Sequence, residues 1–481
     1  MRRAVVSLVL TATALAGCVN LAPEHRRPAP AVPADFDPDL RPDGFEVASQ
    51  IAYTDWFVDP RLRALIATAL RNNRDLLAAT ARIEQARARY RIQDSRELPT
   101  VVADGSATRT RQALTGASTL GQVANGQDAP DSITYNRFQV GVGVSSFELD
   151  FWGRLDNLSE AARAEYLSTV AAQRAFYLSL IADVATTYFA IVETDEQIEL
   201  ARATESTRAE ALRIARLRLE QGVTSALPYR QAETLLTQAQ QQLAAERLNR
   251  AQLRNQLLVL AGGRVPGDLP AGLGLAEQDN GRRLEAGLPS EILLVRPDIR
   301  TAEEQLRAAR ANIGAARAAF FPSISLTGNT GLTSDSLGGL FGADGFGWSF
   351  GPSISLPIFD GGERQANLDL AEALEMEQVA NYDRAVQNAF REVADALAGR
   401  LYLTEQVRTL ERAVEAQQRI ARIARLRYRE GVADYLEVLD AERNLFDAQQ
   451  QLLSTRRAAL QNQATLYTAL GGGERAFADR P

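Results

Sequence analysis

The chain has 481 residues, 46% of them hydrophobic, and its 60 acidic and 53 basic residues give a formal net charge of −7. Every basic residue is an arginine, and this mildly acidic balance argues against a nucleic-acid partner, which would require a basic patch. The chain has one histidine, His25, and one cysteine, Cys18, so it lacks the usual nucleophile–base pairs and metal-binding spacings. We therefore expect neither an enzyme nor a metal site.

The amino terminus has the pattern of a secretory signal. Arg2 and Arg3 precede a short apolar run that ends in small residues before Cys18. This stretch resembles a bacterial lipobox, which implies that residues 1–17 are removed and that a lipid is attached to Cys18. By the same resemblance, Val19 in place of aspartate favours the outer membrane. The alternative for Cys18 is an ordinary buried cysteine.

Residues 18–50 are predicted to form an extended strap, because prolines recur between residues 23 and 42 and leave no core of their own. Beyond the strap the chain repeats itself. Residues 75–99 match residues 298–322 at a constant offset, and a second match joins the segments around Gly222 and Gly431. Each half is thus predicted to contain a medium helix, two strands, a long helix, a turn and a return helix.

The predicted boundaries follow from this duplication. In chain order they are a signal peptide at 1–17, a strap at 18–50, a first repeat at 51–265, an equatorial segment at 263–294, a second repeat at 295–473 and a tail at 474–481.

Four strands are predicted from alternating apolar and polar residues, at about 100–110, 136–147, 322–332 and 347–357. The alternation fits a wall with lipid on one side and water on the other, about 10 residues per strand. A soluble sandwich or a surface hairpin is the alternative. Because barrels begin at about eight strands, four strands require several chains to share one barrel.

The long helices are predicted at 154–221, 229–261 and 363–430, with a last return helix that ends at Leu470. The third would be a rod of about 100 Å, since an α-helix rises about 1.5 Å per residue. Charges at every turn exclude a membrane span, so this rod must cross an aqueous space. Gly222 and Gly431 are predicted to end the outgoing helices, and Asp434 with Glu437 has the spacing of a capping box.

Together with the lipobox and the duplication, four motifs carry a resemblance to a known family. They are Trp56–Asp75, Arg296–Ile299, Phe321–Leu326 and Tyr435–Ala441. The chain resembles the TolC-like outer-membrane factor family, in its lipidated NodT-type branch that serves tripartite efflux pumps of the resistance-nodulation-division class.

This resemblance implies a mainly α-helical fold with a small β part. Duplicated helical hairpins of a homotrimer would form an α-barrel tunnel in the periplasm, and four strands per chain would build a 12-stranded barrel in outer-membrane lipid. The implied partners are a periplasmic adaptor, or membrane fusion, protein and an inner-membrane resistance-nodulation-division transporter. The implied function is an exit duct for small molecules such as drugs or toxic compounds, without a cofactor other than the lipid on Cys18.

In this family the periplasmic tip closes like an iris, and the matching constriction residues here are Leu436, Glu437 and Asp440, with Tyr428 on the outgoing arm. Their spacing of three and four residues places Leu436, Glu437 and Asp440 on one helical face. Six carboxylates converging in a trimer would repel one another and favour cations. Alternatively, Glu437 only completes a helix cap and Asp440 is a solvated surface residue.

Gly222, Val223, Gly431 and Val432 are the candidate adaptor contacts at the two turns, although the glycines also serve as helix C-caps. The family often has an arginine where this chain has Ala433, so the latch between neighbouring hairpins would have to differ.

The first repeat has Pro228 and Gln231 where the second has Glu437 and Asp440. The acidic ring is therefore predicted to belong to the second hairpin, and the first hairpin to face the adaptor. Other functions remain open at this point: type I protein secretion, heavy-metal export, or a structural periplasmic coiled-coil lipoprotein. The sequence does not identify the substrate.

Overall fold

The computed structural model describes residues 20–29, 32–33, 35–40, 47–113, 132–282 and 296–472. The signal peptide, Cys18, part of the strap, residues 283–294 of the equatorial segment and the tail at 474–481 lie outside these residues. Within them the chain forms eight α-helices and four β-strands.

The described elements are α1 (Tyr53–Trp56), α2 (Pro60–Asn72), α3 (Arg74–Asp94), β1 (Val101–Ala113), β2 (Ser132–Glu148), α4 (Arg154–Glu220), α5 (Ala226–Leu260), α6 (Pro297–Ala318), β3 (Ser323–Ser334), β4 (Phe346–Ser355), α7 (Glu363–Arg429) and α8 (Tyr435–Ala469). A single 3₁₀ turn, Leu275–Glu277, lies in the described part of the equatorial segment.

The duplicated hairpins are present, and their lengths agree residue for residue. The outgoing helices α4 and α7 have 67 residues each, and the return helices α5 and α8 have 35 each. At about 1.5 Å per residue the outgoing helices are rods of about 100 Å. Helix α5 begins at Ala226 rather than residue 229, with Pro228 in its first turn, where a missing N–H is tolerated.

The chain divides into two compact units, the first made of residues 1–27, 85–166 and 304–379 and the second of residues 28–84, 167–303 and 380–481. The first unit contains the sheet, whose strands are antiparallel and follow one another in the order β1-β2-β3-β4. In the described chain β1 and β4 are therefore edge strands. An edge position also explains how β4 accommodates Pro352, which cannot donate a ladder hydrogen bond.

Two of the strands extend beyond a predicted end by three or four residues. Strand β1 continues to Ala113 instead of residue 110, and β2 begins at Ser132 instead of residue 136. The added residues are mostly polar, so no alternation marked them as strand. A register irregularity between Val144 and Phe147 interrupts the pairing of β2 with β3.

The second unit has an apolar core built from both repeats. Ile66, Ile181, Val184 and Val393 are fully buried in it, and Tyr467 donates a hydrogen bond of 2.7 Å from its hydroxyl to the carbonyl oxygen of Ile51. One stretch of α4 is long and apolar enough to span a bilayer, and 56% of it is buried within the chain. A helix buried to this extent is more typical of a core than of a membrane span.

Equivalent residues of the two repeats hold the ends of the return helices. The Asn73 side-chain amide donates to the carbonyl oxygen of Leu260 at 3.0 Å, and Arg296 Nη1 donates to that of Ala469 at 3.0 Å. Arg296 is nearly buried and also pairs with Glu392. Both contacts satisfy a carbonyl group that has no partner within its own helix.

Candidate functional site

One face of the sheet is almost entirely apolar. Because side chains alternate along a strand, the register assigns every second residue to the same face. On this face lie Val101, Ala103, Gly105 and Ala107 of β1, Phe138, Val140, Val142 and Val144 of β2, Ile324, Leu326, Gly328, Thr330 and Leu332 of β3, and Phe346, Trp348, Phe350, Pro352 and Ile354 of β4. Trp348 is 74% exposed and Ile354 72%, and so extended an apolar surface requires lipid or another chain to cover it.

The opposite face is polar and small. It carries Asp104, Ser106 and Thr108 of β1, Arg137, Gln139, Gly141 and Gly143 of β2, Ser325, Thr327, Asn329 and Gly331 of β3, and Gly347, Ser349, Gly351 and Ser353 of β4. Ser349 donates from its hydroxyl to Asn329 Oδ1 at 3.1 Å across the strands. A sheet with one apolar and one polar face is the pattern of a transmembrane channel wall.

The two predicted turns have the same geometry. Gly222 and Gly431 have positive φ angles of 67° and 74°, which glycine adopts without steric cost. The N–H of the next residue donates to a carbonyl oxygen five residues back at 2.9 Å in each turn, so both helices end in a Schellman motif. Val223 and Val432 are 72% and 70% exposed at the tips.

Three of the predicted gate residues share an exposed face at the start of α8. Leu436, Glu437 and Asp440 are exposed, whereas Val438 and Leu439 are buried against the other helices of the tip. The helical spacing in the sequence is sufficient to predict this arrangement.

Both carboxylates on this face are paired with arginines. Arg427 Nη1 lies 3.1 Å from Glu437 Oε1, which joins the two arms of the second hairpin across the turn. Arg443 Nη2 lies 3.2 Å from Asp440 Oδ1 on the same helix. Sequence reasoning missed both arginines, although the three-residue spacing of Asp440 and Arg443 was a readable signal.

The predicted capping box is wrong. Asp434 is the N-cap residue of α8, but its side chain makes no capping hydrogen bond. The Glu437 side chain that would complete the box is held by Arg427 instead. An ion pair across the turn thus replaces the expected local contact.

Tyr428 lies apart from the exposed gate face. It is half-buried, and its ring lies 5.2 Å from that of Tyr435, with Arg218 of the first hairpin 4.5 Å above the Tyr428 ring. Burial, with the nearby charge of Glu442, raises the pKa of the Tyr435 phenol, so this ring stays neutral. The geometry makes Tyr428 a link between the two hairpins.

Among the described residues no group of three or more histidine, cysteine or acidic side chains could hold a metal ion. The described residues of the tip form charged pairs and apolar contacts.

Comparison with known proteins gives the family. The profile of the family described as "Outer membrane efflux protein" matches residues 65–263 and 288–472. The solvent efflux pump outer membrane protein SrpC of Pseudomonas putida is 42% identical over 97% of this chain and 98% of its own length. The cation efflux system protein CusC of Escherichia coli O6:H1 is 41% identical over 96% of this chain and 97% of its own.

A solved structure agrees with these relatives. The MtrE outer membrane channel of Neisseria gonorrhoeae, in its open state, is 39% identical and superposes with a TM-score of 0.84 over 95% of this chain and 98% of its own. The chain thus belongs to the outer membrane efflux protein family. The predicted family, fold class and function as an outer-membrane efflux channel are confirmed.

Proposed function

We propose that three copies of this chain form the exit duct of a tripartite efflux pump. The observation that carries this proposal is the sheet of four strands, with one apolar face, one polar face and an edge strand on each side. Four strands are too few to close a barrel, and three copies would supply twelve. Each β4 would then pair with β1 of the next copy.

The helical hairpins would form the tunnel in the periplasm. The exposed Gly222, Val223, Gly431 and Val432 would meet a periplasmic adaptor, which connects the duct to an inner-membrane transporter of the resistance-nodulation-division class. A lipid on Cys18 would anchor the chain in the outer membrane. The protein acts as a passage in this proposal and has no catalytic role.

The cargo would be small toxic molecules that the transporter selects. Two relatives that match this chain almost equally well carry names from solvent efflux and cation efflux. The polar face of the sheet consists mainly of glycine, serine and threonine residues, which make few discriminating contacts. This supports a duct that accepts what its transporter delivers.

The tip would be the gate, closed by Leu436 and by the pairs of Glu437 with Arg427 and of Asp440 with Arg443. The sequence alone suggests a bare ring of carboxylates. The pairing changes this picture, because each negative charge faces an arginine within the same chain. Opening would then require these pairs to separate or to exchange partners.

Planar-bilayer recordings test the gate. We expect the double substitution Glu437→Ala with Asp440→Ala to raise single-channel conductance. It should also shift the reversal potential in a KCl gradient towards anion selectivity, because Arg427 and Arg443 are left unpaired. The converse pair, Arg427→Ala with Arg443→Ala, should raise conductance and favour cations.

Glu210 and Glu233 provide the matched control, since each forms an ion pair with an arginine three residues away on the first hairpin. Replacing both with alanine removes the same charge and should leave conductance unchanged. Equal conductance in the Glu437/Asp440 variant and the wild type would remove these residues from the gate. A wild-type protein that forms no channel at all would refute the duct.

A further inference from the structure

The first β-hairpin is longer than the second at its turn end. Pairing of β1 with β2 continues past Ala107 and Phe138 to Ala113 and Ser132. Pairing of β2 with β3 stops at Phe138, opposite Ser334. The last part of the first hairpin therefore projects beyond the rest of the sheet.

Two arginines of this projection belong to the apolar face of the sheet. Arg109 and Arg111 follow Val101, Ala103 and Ala107 in the same alternation along β1. Their cross-strand partners are Asn136 and Thr134, which replace the valines and phenylalanine found further along β2. The apolar face thus changes to a cationic one at this point.

Neither arginine is neutralised by the rest of the described chain. No aspartate or glutamate occurs in the stretches 105–113 and 132–147, and neither Arg109 nor Arg111 forms an ion pair among the described residues. Arg111 Nε donates to the Ser132 hydroxyl at 3.1 Å, which leaves the rest of its guanidinium exposed. Both arginine side chains are exposed.

The depth of these charges follows from strand geometry. The apolar face of β3 starts at Ile324, and the row of Ser334 and Phe138 marks its upper end. Ten residues at about 3.3 Å make about 33 Å along the strand, or about 25 Å vertically at a tilt of about 40°, which equals the apolar band of outer-membrane barrels.

Arg109 and Arg111 then lie about 5 and 10 Å above the edge of that band, by the same rise and tilt. Lipid headgroups add about 5 to 7 Å on each side of the hydrocarbon, so Arg109 lies within this layer and Arg111 lies a few ångströms beyond its outer edge. Strands β1 and β2 connect to α3 and α4 at their opposite ends, so the projection lies at the end of each strand that is remote from these connections. In the duct proposed above, that end faces the cell exterior.

We infer that Arg109 and Arg111 bind the phosphate groups of lipid A in the outer leaflet, an inference that rests on the proposed orientation of the duct. Lipid A is a glycolipid with phosphates at the headgroup boundary and acyl chains below it. Guanidinium groups bind phosphate through paired, charge-assisted hydrogen bonds. The acyl chains would cover the valines of β1 and β2 directly below the arginines.

Native mass spectrometry of the detergent-solubilised trimer tests this inference by counting bound lipid. We expect the wild type to bind bisphosphorylated lipid A about tenfold more tightly than dephosphorylated lipid A, the sum of two partly exposed ion pairs. The variant with Arg109→Gln and Arg111→Gln should lose this preference. Arg137→Gln is the matched control and should retain it, because Arg137 lies in the same hairpin on the polar face.

Three outcomes would overturn the inference. They are a wild type without phosphate preference, a double variant that keeps it, and an Arg137 variant that loses it equally. Competition by millimolar inorganic phosphate as strong as that by lipid A would identify a free anion as the ligand and also refute a lipid contact. The single-channel conductance of the double variant is measured as well. A double variant that still conducts and whose lipid binding is unaltered contradicts the lipid A inference and leaves the proposed duct intact.

Discussion

Asn73 and Arg296 perform the same task in the two repeats with different chemistry. Each starts a medium helix of its repeat and donates a hydrogen bond to the last turn of a return helix. Asn73 also caps α3, because its Oδ1 accepts from the N–H of Leu76 at 2.9 Å. The duplicated sequence thus preserved the contact while the residue that makes it changed.

Arg296→Met should lower the free energy of unfolding by about 2–3 kcal/mol, the usual loss for a buried hydrogen bond to a charged group. Asn73→Ala should cost about 2 kcal/mol, because it removes a helix cap as well as the contact to Leu260. Urea denaturation followed by circular dichroism measures both. Arg391→Met is the control, since its pair with Asp395 is on the surface and should contribute less than about 0.5 kcal/mol.

At the tip, the sequence predicted the exposed face of Leu436, Glu437 and Asp440, because helical spacing alone determines which residues share a face. It did not predict the partners of these residues. The pair of Arg427 with Glu437 spans a turn and depends on how two helices pack, which no local pattern encodes. The expected capping box failed for the same reason, since a long-range ion pair competed with the local contact.

Strands β2 and β3 are in close backbone contact at glycines of the polar face. A Cβ added at Gly331 would lie 2.5 Å from the carbonyl oxygen of Val140 and 2.8 Å from the Gly141 Cα. The backbone of β2 would have to move, because no flexible side chain is involved. A Cβ at Gly351, on the same face of β4, would meet nothing within 4 Å.

Gly331→Ala should therefore weaken the β2–β3 pairing and lower the temperature at which the trimer dissociates on an unboiled gel. Gly351→Ala introduces the same methyl group on the same face and should leave that temperature unchanged. Equal stability of the two variants would show that β2 and β3 are further apart in the assembled barrel than in the single chain.

The sequence predicted the existence and order of the elements well. The constant offset between repeats indicated two equal hairpins, and α4 with α5 matches α7 with α8 in length. Strand ends were less predictable. The residues of β2 before Phe138 are mostly polar and show no alternation of apolar and polar side chains, although their backbones pair with β1. Val102 also breaks the alternation of β1, since the register assigns it to the polar face.

For the whole molecule, Cys18 decides whether the proposed anchor exists. Cys18→Ala should yield a protein without the added lipid mass, because the thiol that carries the first acyl group is gone. Trimers should still form, since strand pairing in the proposed barrel does not involve residue 18. Mass spectrometry of membrane-extracted protein measures the lipid as mass in excess of the polypeptide. The same excess mass in the variant and in the wild type would exclude Cys18 as the attachment site.

The need for several chains was predictable from a count of strands, because a sheet this small cannot close, whereas the number three came from the resemblance to the family. The cargo was not predictable, since a passage lined by small polar residues carries little information about what passes through it. Small polar residues would make the proposed duct permissive for the same reason that they identify no substrate.

The two edge strands also set a condition on biogenesis. A newly exported copy presents the free backbone groups of β1 and β4 and an uncovered apolar sheet at the same time, a combination that promotes aggregation. These hazards disappear only when three copies meet, so the yield of functional protein should depend steeply on local concentration. A membrane anchor would shorten the time before assembly, because it confines the copies to two dimensions. The expression level would then determine what fraction of the chains assembles into trimers.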